Sequence, residues 1–384
     1  MKRLVKEPTY KKFITGPLER FNERNDAFNL GAVEGDKYTR MHEESIKNIE
    51  REIPGKSILE HAMWVAGRTV DYVLRAEKLA RSEGPIYNKN FRLKYPEPGA
   101  MTKIVKKMAK WIGADLVGIT KLNPLWLYTN WGKHTVMYCP AAKEGDPIFI
   151  TPEYDKVIVM AYAMSYEDIQ KTPSVEPGTD IGYSRVAFIA SSMATFIREL
   201  GYHAITAVNE LGLSIPMAIE AGLGELGRNG LLITPEFGSS VRICKVFTDL
   251  PLYFDSPIDI GAQNFCEKCD LCVKHCAAQA LTSGPRIDTG WDKCNSPGIL
   301  KWPIRAMKCL DWWVKNGTHC SVCIRVCPFT RSNIFYHKLV NITSNWGILT
   351  KMLVSLHEFM GLGKQKKDRW FSNIQDPSII RNKD

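Results

Sequence analysis

Four cysteines fall within eleven residues of one another, at positions 266, 269, 272 and 276 of the run CEKCDLCVKHC. A second run, CSVCIRVCP, carries Cys320, Cys323 and Cys327 followed by Pro328, and Cys309 lies eleven residues before it. Of the eleven cysteines in 384 residues, these eight form two compact groups, which is the distribution of metal ligands and not of a disulfide scaffold. Eight thiolates are the number that two [4Fe-4S] clusters need. In chains that hold two such clusters, the fourth cysteine of a run ligates the other cube, because the turn wrapping three cysteines around one cluster points the next away from it. The spacing therefore predicts Cys266, Cys269, Cys272 and Cys327 for one cluster, and Cys276, Cys309, Cys320 and Cys323 for the other. A pair of zinc sites is the bland alternative, since four thiolates also suit tetrahedral zinc. Ala277, where proline is commonest after such a run, is a small departure from the pattern. Cys139, Cys244 and Cys294 are left over and read as incidental thiols.

Two clusters make an electron wire, and only some 70 residues belong to it. The remainder has the 45% hydrophobic content of a globular chain that can bury a large core. DKVIVMAYAM (155 to 164) is the best strand, β-branched and of central-strand character. KIVKKMAKWIGADLVGIT (103 to 120) reads as a helix followed by a short buried strand, and a helix over 186 to 200 ends at Gly201. Pro216 opens a short helix, LLIT and VRICKVF are extended, and residues 43 to 80 are mainly helical with a break at Pro54. Alternating helices and strands predict an α/β (α+β) body. The cysteine segment interrupts it like an insertion, and an apolar helix near 349 to 360 returns to it. The chain divides into four regions: 1–100, an N-terminal extension and helical region; 101–260, the core; 261–330, the cysteine domain; and 331–384, a return and C-terminal segment.

The formal charge of +10 would suit an anionic cofactor, an acidic redox partner, an anionic membrane or nucleic acid. Nucleic acid is disfavoured, because the lysines are spread and no dense basic tract alternates with aromatics. The apolar stretches, such as VAFIASSMATFI, are too short and too polar to span a bilayer, and the N-terminus carries no apolar signal core. Gly222, Gly224 and Gly227 in AGLGELGRNG spell GxGxxG, but LSIPMAIEA before them is a poor opening strand for a dinucleotide site. A tight glycine loop serving packing is the better of these two readings.

GYSRVAFIASSMATFIRELGYHA (182 to 204), AGLGELGRNGLLITPEFGSSVRICKVFTDLPL (221 to 252) and the two cysteine runs together resemble the corrinoid-dependent reductive dehalogenases. Epoxyqueuosine reductase is a more distant likeness. The resemblance implies a cobalamin-binding core like the nitroreductases, with an inserted ferredoxin-like domain for the two [4Fe-4S] clusters. It implies base-off cobalamin without a protein lower ligand, and none of the eight histidines sits in an Asp-x-His-x-x-Gly context. Carried over by motif, Tyr183 matches the family's proton donor, Arg242 its basic neighbour and Asn209 a polar pocket residue, with Arg185, Lys245 and Arg228 as alternative cations. The glycine loop at Gly222, Gly224 and Gly227 would lie close to the corrinoid, and Trp312 or Trp313 would face the substrate cavity.

The partners implied are a small halogenated organic substrate, an external low-potential electron donor and a small membrane anchor protein, without nucleic acid; a homodimer is allowed. The compactness of the chain favours a small aliphatic organohalide. The mature protein is expected on the outer face of the cytoplasmic membrane after loss of a leader, or in the cytoplasm if no leader was removed. Two rivals are epoxyqueuosine-type epoxide reduction, where the family's acid is an aspartate, and an electron-transfer subunit without catalysis.

Overall fold

The computed structural model describes residues 2–54, 56–80, 92–94, 97–137, 142–171, 173, 177–330, 339–340 and 347–366. Cys139 lies outside them. The centre is a four-stranded sheet of Leu116–Lys121, Lys156–Ala163, Val241–Thr248 and Ala204–Ala207, in that spatial order. Every neighbouring pair is antiparallel; Met160, for example, lies opposite both Val117 and Cys244. The run expected as the best strand is thus one of the two central ones. The antiparallel pairing makes the body α+β, and the helix–strand alternation along the chain does not correspond to parallel crossovers.

Strand period sorts the core into two faces. Ile158, Met160, Cys244 and Val246 pack with Met101, Val105 and Ala109 of the Pro98–Trp111 helix. The same face meets Val186, Ile189, Met193 and Ile197 of the Pro177–Glu199 helix, spaced to form one apolar stripe. Val157, Val159, Ala161 and Phe247 point the other way, toward Leu127, Met217 and Ala218. The long helix begins nine residues before the expected start. Pro177, Gly178 and Gly182 look like a turn in sequence, yet proline is favoured in a helix's first turn and the helix runs straight through Tyr183.

The N-terminal region is an ordered arm. Tyr10 is buried edge-on against Trp126, 5.5 Å between ring centres, and its hydroxyl donates to Glu220 Oε1 at 2.6 Å. Arg20 donates to the carbonyls of Leu127 and Ile148. Beyond the arm, helices Lys37–Glu50, Ile58–Gly67 and Thr69–Ala80 pack on the Pro177–Glu199 and Ala306–Asn316 helices. The region read as an extension therefore forms part of the body.

The cysteine segment has its own core, in which Phe265, Leu271, Val322 and Phe329 surround Cys269, Cys272 and Cys327. Leu353 and Val354 of the Gly347–Phe359 helix belong to that core, so this helix returns to the cysteine segment and not to the sheet. No described helix is long and apolar enough to cross a membrane.

Candidate active site

Two sets of thiols lie side by side in the cysteine segment, and one of them forms a wall of the site. Burial pushes the Cys266 thiol up to about 12, with Arg228 opposing the shift and Cys327 adding to it. Cys272 is raised by burial and then by Cys266, Cys269 and Cys327. Cys309 is pushed up to about 12 by burial, then by Cys320 and Cys276, and Cys323 is raised by burial, then by Cys320, Cys309 and Cys276. The thiols that act most strongly on Cys266, Cys269 and Cys272 are among Cys266, Cys269 and Cys327, and those that act most strongly on Cys309 and Cys323 are Cys276, Cys309 and Cys320. Cys272 also feels Cys323, so the two sets adjoin. Buried thiols held this close cannot ionise together without a cationic centre among them. Among the described residues, no group of three or more His, Cys, Asp or Glu is arranged for a single metal ion. Mononuclear zinc would need sulfurs converging to ~2.3 Å from one point. The donor chemistry, four thiols in each set, is that of two [4Fe-4S] clusters. Cys244 sits in the central sheet and Cys294 is half-buried in a loop, away from both sets.

Cys276, Cys309, Cys320 and Cys323 also line a cavity of about 570 Å³, within the size range of ligand and cofactor sites. Tyr183, Asn209 and Arg242 line it as well, with Trp312 and Trp313. Asn209 Nδ2 donates to the Tyr183 hydroxyl at 3.2 Å. Arg242 lies with its guanidinium carbon 4.9 Å from the Tyr183 ring centre and donates from Nη2 to Thr179 Oγ1 at 2.7 Å. The strand residue Arg242 can come this near because residue 182 has no side chain: a Cβ there would stand 2.9 Å from Arg242 Cγ. Arg242 Nε and Trp313 Nε1 are buried without a hydrogen-bond partner among the described residues, two donors presented for something that the cavity would hold.

The alternative cations do not share this position. Arg185 is exposed. Arg228 donates to the carbonyls of Cys266, Thr282 and Gly284 and stacks 4.2 Å from the ring centre of Trp302, which bonds Gly284 through Nε1. Lys245, fully buried and pushed down to about 8 by burial, ties together Val208 O, Gly212 O and Ser214 Oγ. These are structural roles.

The glycine loop is likewise outside the cavity lining. Gly222 has φ +74°, and a Cβ there would stand 2.4 Å from Ser256 O; at Gly224 it would meet Ile233 O at 2.2 Å, and at Gly227 Asn229 Oδ1 at 2.7 Å. Close protein backbone and side chains require a small residue at all three; Asn229, Leu231 and Leu232, just beyond, line the cavity.

Several lining residues carry no signal in the sequence. Phe28, Tyr38 and Arg68 come from the region read as an extension, and His319 from the residue before Cys320. Glu23 also lines the cavity, accepting from Gly132 N at 2.9 Å and Thr135 Oγ1 at 3.0 Å, and burial pushes its carboxyl up to about 8. Folded Glu23 therefore holds a proton between its ordinary range near ~4.3 and about 8, where the unfolded chain has lost it. Its contribution is full at low pH and disappears as pH rises through that window. Glu23→Gln is expected to flatten the pH dependence of thermal stability between pH 5 and 8, with the variant gaining on the wild type at the upper end. Parallel melting curves at every pH would refute the assignment.

A cavity with four thiols on one side and a tyrosine among arginines on the other has the parts of a redox site equipped with a proton donor. Known proteins narrow the class further. No family model matches the chain. The chain is 36% identical over 292 residues to the tetrachloroethene reductive dehalogenase of Sulfurospirillum multivorans, which is 70% of this chain and 58% of that one. The catabolic reductive dehalogenase NpRdhA, solved with 3-bromo-4-hydroxybenzoic acid, superimposes with a TM-score of 0.73 at 25% identity, over 94% of this chain and 49% of that one. A reductive dehalogenase structure tied to B12-dependent dehalogenation gives 0.72 at 24% identity, over the same shares of the two chains. An epoxyqueuosine reductase of Listeria monocytogenes is 32% identical over 127 residues, 32% of this chain and 31% of that one. Over most of its length the chain is similar to reductive dehalogenases. It spans about half the length of the relatives that it matches.

Proposed function

We propose that the chain catalyses reductive dehalogenation of a small organohalide, replacing halogen by hydrogen with two electrons and one proton and releasing halide. The observation that carries this is the pairing, in one cavity, of Tyr183, Asn209 and Arg242 with the thiols of Cys276, Cys309, Cys320 and Cys323. Two [4Fe-4S] clusters, when bound, would supply electron delivery, and a cobalamin would supply reduction of the carbon–halogen bond. In this reading Cys276, Cys309, Cys320 and Cys323 hold the cluster beside the cavity, and Cys266, Cys269, Cys272 and Cys327 the outer one. The core is of nitroreductase-like type and residues 261–330 form a ferredoxin-like insertion.

Tyr183 keeps its proton at the hydroxyl oxygen and gives it to the substrate carbon. A phenol near ~10 is a weak acid at neutral pH. The adjacent guanidinium of Arg242 favours the phenolate left behind, and Asn209 Nδ2 already donates to that oxygen. Trp312 and Trp313 wall off water and favour a small apolar organohalide such as a chlorinated alkene or alkane. An external low-potential donor supplies the electrons, and a small membrane protein anchors the exported chain.

The test is anaerobic turnover of chlorinated alkanes and alkenes by iron- and cobalamin-reconstituted protein with reduced methyl viologen, scored as chloride release. Release that depends on cobalamin supports the proposal. Protein loaded with both cofactors that releases no halide from alkyl, alkenyl or aryl halides would sink it in favour of electron transfer alone.

A further inference from the structure

Arg68 is the residue between the Ile58–Gly67 and Thr69–Ala80 helices and is only 8% exposed. Its guanidinium carbon lies 4.4 Å from the Tyr183 ring centre, closer than that of Arg242. Nε pairs with Asp71 Oδ2 at 3.2 Å, and Nη1 reaches Asp180 Oδ1 at 3.3 Å and the Tyr38 hydroxyl at 3.2 Å. Both carboxylates are fully buried. Asp180 stands one turn before Tyr183 on the same helix, so Arg68 is anchored to the element that carries the phenol. The residue after the phenol closes the clamp: Ser184 Oγ donates to Gly67 O at 2.7 Å and accepts from Asp71 N at 3.2 Å.

A planar fork fixed by two carboxylates is a rigid object, unlike a surface arginine free to swing. Arg68 and Arg242 reach the ring from different elements, a helix junction and a sheet strand. We propose that Arg68 is a positioning residue for Tyr183, holding the phenol ring so that its hydroxyl faces the cavity in one orientation. The inference rests on Tyr183 as the proton donor. It makes the N-terminal helices a working part of the site, because the guanidinium comes from them.

Removing Arg68 alone would take the guanidinium from two buried carboxylates, leaving Asp180 with His319 Nδ1 at 3.1 Å, and could unfold the chain. The test therefore uses Arg68→Gln with Asp71→Asn, which leaves the net charge unchanged, and Arg68→Lys, which keeps the charge but loses the fork. Both are compared with wild type as reconstituted holoprotein of equal iron and cobalt content. The expected result is a fall in kcat on the order of 10²-fold for the double variant, with KM within twofold and a larger solvent isotope effect on kcat. Arg68→Lys should recover part of the loss. Unchanged kcat, or a loss confined to KM, overturns the proposal. A 3-fluorotyrosine at position 183 gives a readout independent of turnover. Its fluorine resonance should split or broaden in the double variant, and a single unshifted line would also overturn the proposal. If the wild type dehalogenates nothing, the functional reading fails, while the fluorine line still decides whether Arg68 holds the ring.

Discussion

Tyr183→Phe is expected to abolish most dehalogenation, a loss of about 10²- to 10⁴-fold in kcat, while iron and cobalt contents stay at the wild-type level. The ring survives in the variant, so its packing against Arg68 and Arg242 is preserved and only the hydroxyl is lost. Asn209 Nδ2 would lose its acceptor and Arg242 would have no phenolate to favour. Reduction of bound cobalt, followed by its absorbance, should proceed at the wild-type rate. Turnover within threefold of wild type would remove Tyr183 from the mechanism and direct attention to Tyr38 or His319, which face the same cavity.

Cys323→Ser should be as damaging by a different route. Cys323 sits among Cys320, Cys309 and Cys276 and lines the cavity. Serine is a poor thiolate replacement, so the cube at that site is expected to be lost or degraded. Iron per chain should fall from about eight toward about four, and the low-temperature spin-coupled signal of two reduced neighbouring clusters should collapse to that of one. Halide release should vanish although the Tyr183 wall is intact. Full iron content with a normal coupled spectrum would show that the cavity-side set is assigned wrongly.

Local features were the legible ones. The cysteine spacing is a matter of a few residues of chain, and the alternation of Val157, Ile158, Val159 and Met160 between faces is written in the strand itself. The antiparallel order of the sheet was not legible, because pairing Met160 with Cys244 is a choice between segments 84 residues apart. Tyr183, Asn209 and Arg242 were found through likeness to a family, and nothing in their local patterns brings them together. Arg68 was invisible for the same physical reason: its ion pair with Asp180 spans 112 residues, and AGRTVD carries no motif. The start of the long helix was missed because Pro177 and Gly182 signal a turn when read alone, while the close crossing of Arg242 that requires Gly182 exists only in the folded chain. At the glycine loop, close contact with Ser256 and Ile233 selects the same residue type as a cofactor would, so local sequence alone does not distinguish the two.

The cavity wall is drawn from chain positions as far apart as Glu23 and Ile324. A polypeptide emerging in order therefore has an arm, a sheet and a tyrosine long before it has a closed chamber, because the last wall is the cysteine segment, which in the proposed function takes up iron. Maturation then has a direction. Apoprotein lacking its clusters should retain corrinoid poorly whatever the supply, and iron delivery, more than corrinoid availability, would set the yield of complete protein when the chain is produced in a foreign cell.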